Sequence, residues 1–252
     1  MAKIYGGKSK YLVKKDLKFN IFGNLFIPIL IISFCYIMIR AMLGFITLNG
    51  ASYTTVVLLF ILILVIKIFE NTTGKDMLRI RKFCNIKSDK YHRGWKGEEV
   101  IFKILETLSG DYTVFCDVNL YNHGNIDFIV LGPCGLLAIE VKSYKGRITF
   151  ENNELLRNGY TIKEKNILKQ TINEALDLRQ YLKEKIQKEF FVNPVLVFSD
   201  KYASVKFGLN PINSVYVVQK EYLIKLIESF PVAVSREDAG KIEEEMALLY
   251  DR

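Results

Sequence analysis

The stretch that decides the fold is "NIDFIVLGPCGLLAIEVKSYKG", residues 125–146. It contains two apolar runs, "IDFIVLG" (126–132) and "LLAIEVKS" (136–143), which a Gly-Pro-Cys-Gly turn joins. Apolar runs of this length on either side of a turn predict two strands that pair in one sheet. Each run also carries isolated charges, and charges inside an apolar strand need a chemical reason.

The charged residues of the two strands predict a cation site. Side chains alternate between the faces of a strand, so Glu140 and Lys142 share one face of the second strand, while the first strand carries Asp127. Burying a carboxylate is costly unless it is paired or binds a metal. Both costs disappear if Asp127 and Glu140 together hold a divalent cation, with Lys142 beside it. The alternative is an ordinary salt bridge at a strand end.

A third carboxylate precedes the strands in "GWKGEEVIFKILETLSG", residues 94–110, which the spacing predicts to be a helix. Glu98 lies three residues before Ile101 and seven before Leu105, so it borders the apolar face of that helix. Glu99 lies further round, on the polar side. We therefore expect Glu98 to face the sheet and to support a metal or its water.

These ligands indicate the chemistry. Carboxylate oxygens suit Mg²⁺ or Mn²⁺ better than zinc. Such a cation would bind a phosphate oxygen and help to generate hydroxide, and Lys142 would orient the water or offset charge in the transition state.

The four cysteines are scattered without a CxxC pair, which indicates free thiols in a reducing compartment.

The rest of the chain from about Gly94 predicts a small mixed α/β sheet flanked by helices. The predicted elements are strands at 112–121, 146–151 and 192–200, an irregular or hairpin segment at 154–164, a helix at 165–189, a strand running into a helix at 214–230, and a final helix at about 235–250. The buried face of the long helix is expected to contain or adjoin Ile167, Ile172, Leu176, Leu178 and Leu182.

Charge divides the chain into two parts. Residues 1–96 carry 16 Lys and Arg against 4 Asp and Glu, whereas residues 97–252 carry 19 against 23, within an overall net charge of +8. The basic part contains two uncharged runs, residues 21–39 and 41–66. Because a bilayer core requires about 20 apolar residues per helix, the two runs predict a transmembrane hairpin. A cleaved signal peptide is the competing interpretation.

The flanks of the two runs predict their orientation. Basic residues are dense in residues 1–20 and 67–96, and only Arg40 lies between the runs. The positive-inside rule therefore predicts a cell-membrane protein with two spans and both termini in the cytoplasm. The basic excess then needs no nucleic acid to explain it, because it flanks a lipid bilayer and would attract anionic lipid.

Four segments, taken in order, resemble the nuclease-related domain (NERD) family over roughly residues 92–220. They are "GWKGEEVIFKIL", "NIDFIVLGPCGLLAIEVKSYKGRI", "KQTINEALDLRQYL" and "NPVLVFSD". That family is grouped with the PD-(D/E)xK phosphodiesterase superfamily of restriction-endonuclease-like folds. The resemblance implies divalent-metal phosphodiester chemistry and, for several members, a membrane anchor.

The resemblance also implies which residues form the site. It assigns the acid of the first helix to Glu98, the metal-binding Asp to Asp127, and the (D/E)xK pair to Glu140 and Lys142. Gln170 matches a Gln at the start of the following helix, where it could donate a hydrogen bond to phosphate or water or could be a plain surface residue. The chain departs from the common pattern at Phe128, where members carry His, and near residues 167–168, where they carry Asn-Pro.

Nucleic acid, DNA more than RNA, is the partner that this resemblance implies. Residues 142–169 contain seven basic and three acidic residues, and this local excess of positive charge could bind a phosphate backbone or form a solvated face. The basic residues are Lys142, Lys145, Arg147, Arg157, Lys163, Lys165 and Lys169.

The expected organisation has five parts. These are a basic N-terminus (1–20), the hairpin (21–69), a basic juxtamembrane linker (70–91), the nuclease-related domain (92–220) and C-terminal helices packed on it (221–252). The expected function is Mg²⁺- or Mn²⁺-dependent nuclease activity at the membrane. The alternatives are a tethered module that binds nucleic acid or protein without catalysis, and a lipid-surface scaffold that the basic flanks alone would hold.

Overall fold

A computed structural model describes residues 1–6, 75–120, 125–162 and 166–250, and the side chains of residues 75–88 are outside its described part. The chain divides into two compact units, one of Met1–Lys10 with Arg93–Arg252 and one of Tyr11–His92. Both predicted membrane spans lie outside the described residues. Within the described ranges, no helix is long and apolar enough to cross a bilayer.

The smaller unit is described from Lys75 onward, where helix α1 (Lys75–Leu105) begins. The sequence predicts a basic linker for residues 70–91, and the described part of that segment is helical. The predicted helix at 94–110 is the second part of α1, and it ends at Leu105 rather than at Gly110.

The remaining elements belong to the larger unit. The strands are β1 (Lys3–Tyr5), β2 (Thr113–Asn119), β3 (Asn125–Gly132), β4 (Gly135–Lys142), β5 (Gly146–Glu151), β6 (Glu154–Arg157), β7 (Tyr160–Thr161), β8 (Val192–Phe198), β9 (Ala203–Val205), β10 (Pro211–Ile212) and β11 (Val215–Gln219). The helices are α2 (Ile167–Ile186), α3 (Leu223–Ser229) and α4 (Arg236–Ala247).

Seven strands form a mixed sheet in the order β1-β2-β3-β4-β8-β11-β10. Strands β2, β3 and β4 are antiparallel neighbours, and the pairing of β3 with β4 is the one that the tight turn predicts. Strand β8 pairs in parallel with β4, and the register places Lys142 opposite Phe198, so both strands end at the same edge of the sheet. The crossover from β4 to β8 passes through α2.

Helices cover both faces of this sheet because its strands are apolar on both sides. Leu137 and Ile139 of β4 belong to the core that Ile101 of α1 and Leu226 of α3 also enter. Leu136 and Ala138 point the other way, into the core that residues of α2 and α4 complete. The expected mixed sheet with flanking helices is therefore present, and the alternation places Glu140 on the side of α2.

A second sheet lies beside the first, with the strand order β7-β6-β5-β9. Its inner residues Ile148 and Leu155 pack with Ile167 and Leu168 at the start of α2 and with Phe198 at the end of β8. The sequence predicts β5 as a short strand and residues 154–164 as an irregular or hairpin segment, and β6 and β7 form an antiparallel pair there. It does not predict β9. The parallel pairing of β5 with β9 joins them into a sheet next to the ends of β4 and β8.

Capping residues mark both ends of helix α2. The side chain of Asn166 accepts a hydrogen bond from the backbone N–H of Lys169, which caps the first turn, and Gln187 adopts the left-handed conformation at the other end. The prediction that Leu176 lies on or near the buried face is wrong, because its side chain is 51% exposed. Position 176 falls outside the stripe of buried residues that runs from Thr171 to Leu182.

The N-terminal strand β1 is an element that the sequence analysis does not predict. It pairs in parallel with β2 at the edge of the sheet, with Lys3 opposite Thr113. The ring of Tyr5 stacks on Phe115 with ring centroids 5.1 Å apart, and its hydroxyl donates to Glu243 of α4 over 3.0 Å. The first residues of the chain are thus part of the same folded unit as its C-terminal half.

Two of the four cysteines fall in the described part with their side chains. Cys116 and Cys134 are buried free thiols, which agrees with the prediction. Burial raises the pKa of Cys116 to about 12 and that of Cys134 to about 11, so neither is a reactive thiolate at neutral pH.

Candidate active site

Asp127 lies where the pairing of β3 with β4 ends. The last backbone pair of this ladder is Phe128 with Ile139. One residue further on, Oδ2 of Asp127 accepts a hydrogen bond from the backbone N–H of Val141 over 2.8 Å. The backbone pairing of β3 with β4 no longer supplies an acceptor for the N–H of Val141, and the side chain of Asp127 accepts that hydrogen bond instead. This bond holds the carboxyl group of Asp127 against β4.

Glu140 is 4% exposed and is held by two donors. Its Oε1 accepts one hydrogen bond from Nζ of Lys142 over 2.5 Å and another from Nε2 of Gln170 over 2.9 Å. The side chain of Lys142 is 17% exposed, so this ion pair is mostly removed from water. The structure therefore brings together three of the predicted site residues, from β4 and the first turn of α2.

Glu98 reaches the site because α1 passes very close to the ends of β4 and β8. The preceding residue, Gly97, is buried. A Cβ atom at this position would lie 2.5 Å from Oγ of Ser199 and 3.0 Å from Cβ of Ser143, so only glycine permits the approach. Glu98 itself is half-buried, and its charge acts on Asp127.

The three carboxyl groups repel one another. The pKa of Asp127 is well above its usual range because of burial first, and then because of the negative charges of Glu140 and Glu98. The N–H of Val141 and the charge of Lys142 act in the opposite direction. An excess of carboxylates over cations at one point is an arrangement that an added cation would relieve.

Glu174 is a residue of this cluster that the sequence analysis misses. It lies one turn after Gln170 on α2, is 3% exposed, and accepts a hydrogen bond at Oε1 from Nε2 of Gln170 over 2.8 Å. Its other oxygen, Oε2, is buried and accepts no hydrogen bond from a donor in the part of the chain that the structure describes. The carboxyl group of Glu140 lies within hydrogen-bond reach of Glu174. Burial first, and then the charge of Glu140, raise the pKa of Glu174 to about 8.

The spacing of α2 contains the signal that could have revealed Glu174. The buried residues of this helix include Thr171, Ala175 and Leu178, and Glu174 falls on the same stripe. A charged residue on an apolar stripe, four positions after a candidate site residue, indicates a second member of the same cluster.

Asp117 of β2 is a second residue near the cluster that the sequence analysis does not single out. Its φ is 54°, a left-handed conformation that is uncommon for a non-glycine residue inside a strand. The flanking pairs of the ladder are Cys116 with Phe128 and Val118 with Ile126, which places Asp117 beside Asp127. Its Oδ1 accepts from Nδ2 of Asn125 over 2.7 Å. Strained backbone of this kind is often found at functional sites.

The oxygen ligands of the cluster fit a magnesium-like ion that is held by two carboxylates, and not one that is surrounded by protein ligands. Among the residues that the structure describes, no group of three or more His, Cys, Asp or Glu side chains is arranged so that it could hold a metal. Mg²⁺ is often bound through one or two carboxylates, with water and substrate phosphate completing its coordination. Asp127 and Glu140, on adjacent strands, could provide those two carboxylates.

Basic residues follow the site directly. Lys145 and Arg147 are exposed at the start of the second sheet. The guanidinium of Arg157 on β6 lies over the ring of Tyr144, 5.6 Å from its centroid, and Nε donates to the carbonyl of Lys145 over 2.9 Å. Lys169 is exposed in the first turn of α2, whereas residues 163 and 165 lie outside the described ranges.

Fold and site together define a mixed-sheet domain with a carboxylate–lysine cluster where β3 and β4 lie side by side. Residues 93–199 match the family model described as "Nuclease-related domain". The match begins in the second part of α1 and ends just after β8, so all five predicted site residues and Glu174 lie within it. This part of the chain is similar to a nuclease-related domain, which indicates a nuclease-related function and interaction with nucleic acid. No curated protein and no solved structure matches the chain.

Proposed function

We propose that the chain is a membrane-anchored, cytoplasm-facing nuclease that hydrolyses nucleic-acid phosphodiesters with the help of Mg²⁺ or Mn²⁺. The observation that carries this proposal is the cluster of Asp127, Glu140 and Lys142 at the end of two paired strands. A buried pair of carboxylate and lysine adds no more to stability than well-packed apolar residues would, so its presence here supports a task in chemistry or binding.

The roles follow from position. Asp127 and Glu140 would hold the cation, which supplies a Lewis acid for a phosphate oxygen when bound. Glu98 would add negative charge that favours the cation or its water. Lys142 keeps a positive charge beside Glu140, where it would stabilise the charge that develops on a phosphate during hydrolysis.

Substrate contacts outside the cluster would come from the second sheet. Lys145 and Arg147 follow β4 directly, and Arg157 is held in place by Tyr144. Cations on one surface beside a phosphodiester site would bind the backbone of a nucleic acid without reading its bases. We propose DNA as the preferred substrate and RNA as the competitor to test beside it.

The membrane anchor rests on two observations. The uncharged runs at 21–39 and 41–66 have the length of two spans and have basic flanks on both sides. Strand β1 pairs with β2, so residues 3–5 and the C-terminal half must be on the same side of any membrane. This pairing supports an even number of crossings between them, as a hairpin has.

Cleavage by the purified full chain in detergent tests the enzymatic proposal. We expect cleavage of labelled DNA with Mg²⁺ or Mn²⁺ and none with EDTA. Lys142→Ala should lower the rate by about 10²- to 10³-fold, because it removes one group that stabilises transition-state charge, and Glu140→Ala should lower it similarly. Lys241→Ala, which removes an exposed ion pair with Glu237 on α4, is the matched control.

The same experiment separates the enzyme from a binding module. One observation favours the module: Lys142 and Gln170 already occupy Oε1 of Glu140. Binding of nucleic acid with no cleavage on any DNA or RNA, or equal cleavage by the Glu140 and Lys142 variants, would reject the catalytic proposal.

Labelling with a membrane-impermeant maleimide tests the orientation. In a chain with Cys35 and Cys84 replaced by serine, a cysteine at Ser52 should react from outside intact cells. A cysteine at the exposed Lys188 should react only after lysis. Labelling of both, or of neither, in intact cells would reject the hairpin.

A further inference from the structure

The amide of Gln170 lies between two carboxyl groups. Its Nε2 donates to Oε1 of Glu140 over 2.9 Å and to Oε1 of Glu174 over 2.8 Å. A glutamine amide nitrogen carries two hydrogens, so both are committed. Since Oε1 of Glu140 already accepts a hydrogen bond from Lys142, the nitrogen rather than the oxygen of the amide must face Glu140.

The orientation decides what Gln170 can offer to a ligand. Its sequence position suggests a donor to phosphate or water, but the structure uses both hydrogens inside the cluster. The carbonyl oxygen Oε1 accepts no hydrogen bond from any residue that the structure describes. Gln170 therefore offers an acceptor, which suits a water molecule and does not suit a phosphate oxygen.

Glu174 is the residue that completes this arrangement. With Glu140 alone, one amide hydrogen would be buried without a partner, which is costly, whereas Glu174 gives that hydrogen an acceptor. Glu174 is 3% exposed, on a stripe of α2 where an apolar side chain would pack without cost. A buried carboxyl group that bonds Gln170 and lies against a second carboxyl group, that of Glu140, weakens the core, so its benefit lies elsewhere.

We propose that Glu174 is a positioning residue of the candidate site: it fixes the Gln170 amide with both hydrogens toward carboxyl groups and Oε1 toward the ligand. Its effect on catalysis rests on the nuclease function proposed above, with Oε1 accepting a hydrogen bond from the water that attacks the phosphodiester. The orientation itself does not depend on that function.

Nuclear magnetic resonance of the side-chain amide tests the orientation without any substrate. The chain has four glutamines, Gln170, Gln180, Gln187 and Gln219, so selective ¹⁵N labelling of glutamine side chains gives a readable spectrum. Gln170→Ala identifies the signal. We expect the Gln170 amide hydrogens to exchange with water at least roughly tenfold more slowly than those of Gln180, because both are bonded in a buried place.

Three variants of the full chain make the test specific. Glu174→Leu should shift the Gln170 signal and abolish its slow exchange. Glu174→Gln should keep both, since its amide oxygen can accept the same bond. Glu184→Leu removes the exposed partner of Gln180 on the same helix and should leave the Gln170 signal unchanged.

The outcomes divide clearly. An unchanged Gln170 signal in folded Glu174→Leu overturns the proposal, and so does loss of slow exchange in Glu174→Gln. If Glu174→Leu does not fold, Glu174→Asp decides in its place, because its shorter side chain should not reach the amide and should give the result expected of the leucine variant.

Kinetics then separate this proposal from the general one. In a cleaving protein, Glu174→Leu should lower kcat by about tenfold to hundredfold with little change in KM, and Glu174→Gln should restore it. Equal kcat in folded Glu174→Leu and wild type would contradict the catalytic part. A wild type that cleaves nothing rejects the nuclease proposal alone, because the amide signal still decides the orientation.

Discussion

Helix α2 contains the same local contact twice, and the two copies differ only in their surroundings. Gln170 donates to Glu174 over 2.8 Å and Gln180 donates to Glu184 over 2.9 Å, each across one turn. The first pair is mostly buried and lies against Glu140, whereas the second is exposed. The spacing of Gln and Glu four residues apart is thus sufficient for the hydrogen bond. Burial against Glu140 of β4 is what can make the first bond matter for stability or chemistry.

The largest difference between the two pairs should be in the pH dependence of stability. The pKa of Glu174 is raised to about 8 in the folded chain, so between about pH 4.5 and 8 the folded state holds a proton that the unfolded state has lost. The contribution of Glu174 to the free energy of unfolding should be fully present below this window. It should fall by at most about 1.4 kcal/mol per pH unit as the pH rises through it. Glu174→Gln removes this contribution, and Glu184→Gln should follow the wild type.

Urea unfolding of the full chain in mild detergent, followed by fluorescence of its single tryptophan, Trp95, measures the effect. Asp127 and Glu140 are present in all three proteins, so the difference between Glu174→Gln and wild type reports the protonation of Glu174 together with its coupling to Glu140. Parallel curves for these two proteins across pH 5 to pH 8 would show that Glu174 is not protonated in the folded state.

The ion pairs extend the comparison. Lys142 and Glu140 are both mostly buried, whereas Lys241 and Glu237 are exposed on α4. Lys142→Met should cost roughly 2–4 kcal/mol, because it leaves a buried carboxylate without its cation. Lys241→Met should leave the unfolding midpoint unchanged.

A double variant distinguishes lost charge pairing from lost packing. Glu140→Gln with Lys142→Met removes both charges and should recover most of the stability that Lys142→Met loses. If the double variant is as unstable as the single one, packing of the lysine stem explains the loss. Urea midpoints of the three proteins at one pH are sufficient.

The central strands could be predicted from the sequence because their signals are local. The apolar runs around the turn at residues 132–135 and the amphipathic pattern of α2 each lie within a short window. The alternation along β4 also predicted that Glu140 and Lys142 share a face, and they form an ion pair. Nothing in these elements requires knowledge of a distant partner.

The missed features depend on distant partners. Strand β1 is three residues long, and it exists through pairing with β2, more than one hundred residues further along the chain. The sequence suggests Gln170 as a donor to a ligand, but Glu140 and Glu174 accept hydrogen bonds from its amide nitrogen, so only its oxygen is left for a ligand. The predicted metal site needs three carboxyl groups from α1, β3 and β4, and a pattern within one element cannot fix their distances.

The smallest of the three effects concerns two helical glycines that have opposite surroundings. A Cβ at Gly97 would meet Ser199 and Ser143, whereas a Cβ at Gly240 on α4 would meet nothing within 4 Å. Gly97→Ala should gain helix propensity but lose more by overpacking, for a net loss of about 1 kcal/mol. Gly240→Ala should stabilise the chain by up to about 1 kcal/mol.

Ser199 allows the cause to be identified. Its Oγ is the closest atom to the added methyl group and has no hydrogen-bond partner within the described part of the chain. Gly97→Ala with Ser199→Ala should therefore recover much of the lost stability. Because Glu98 follows Gly97 directly, Gly97→Ala should also reduce cleavage while Gly240→Ala does not. If both glycine variants are equally stable and equally active, the close passage of α1 over the strand ends does not position Glu98.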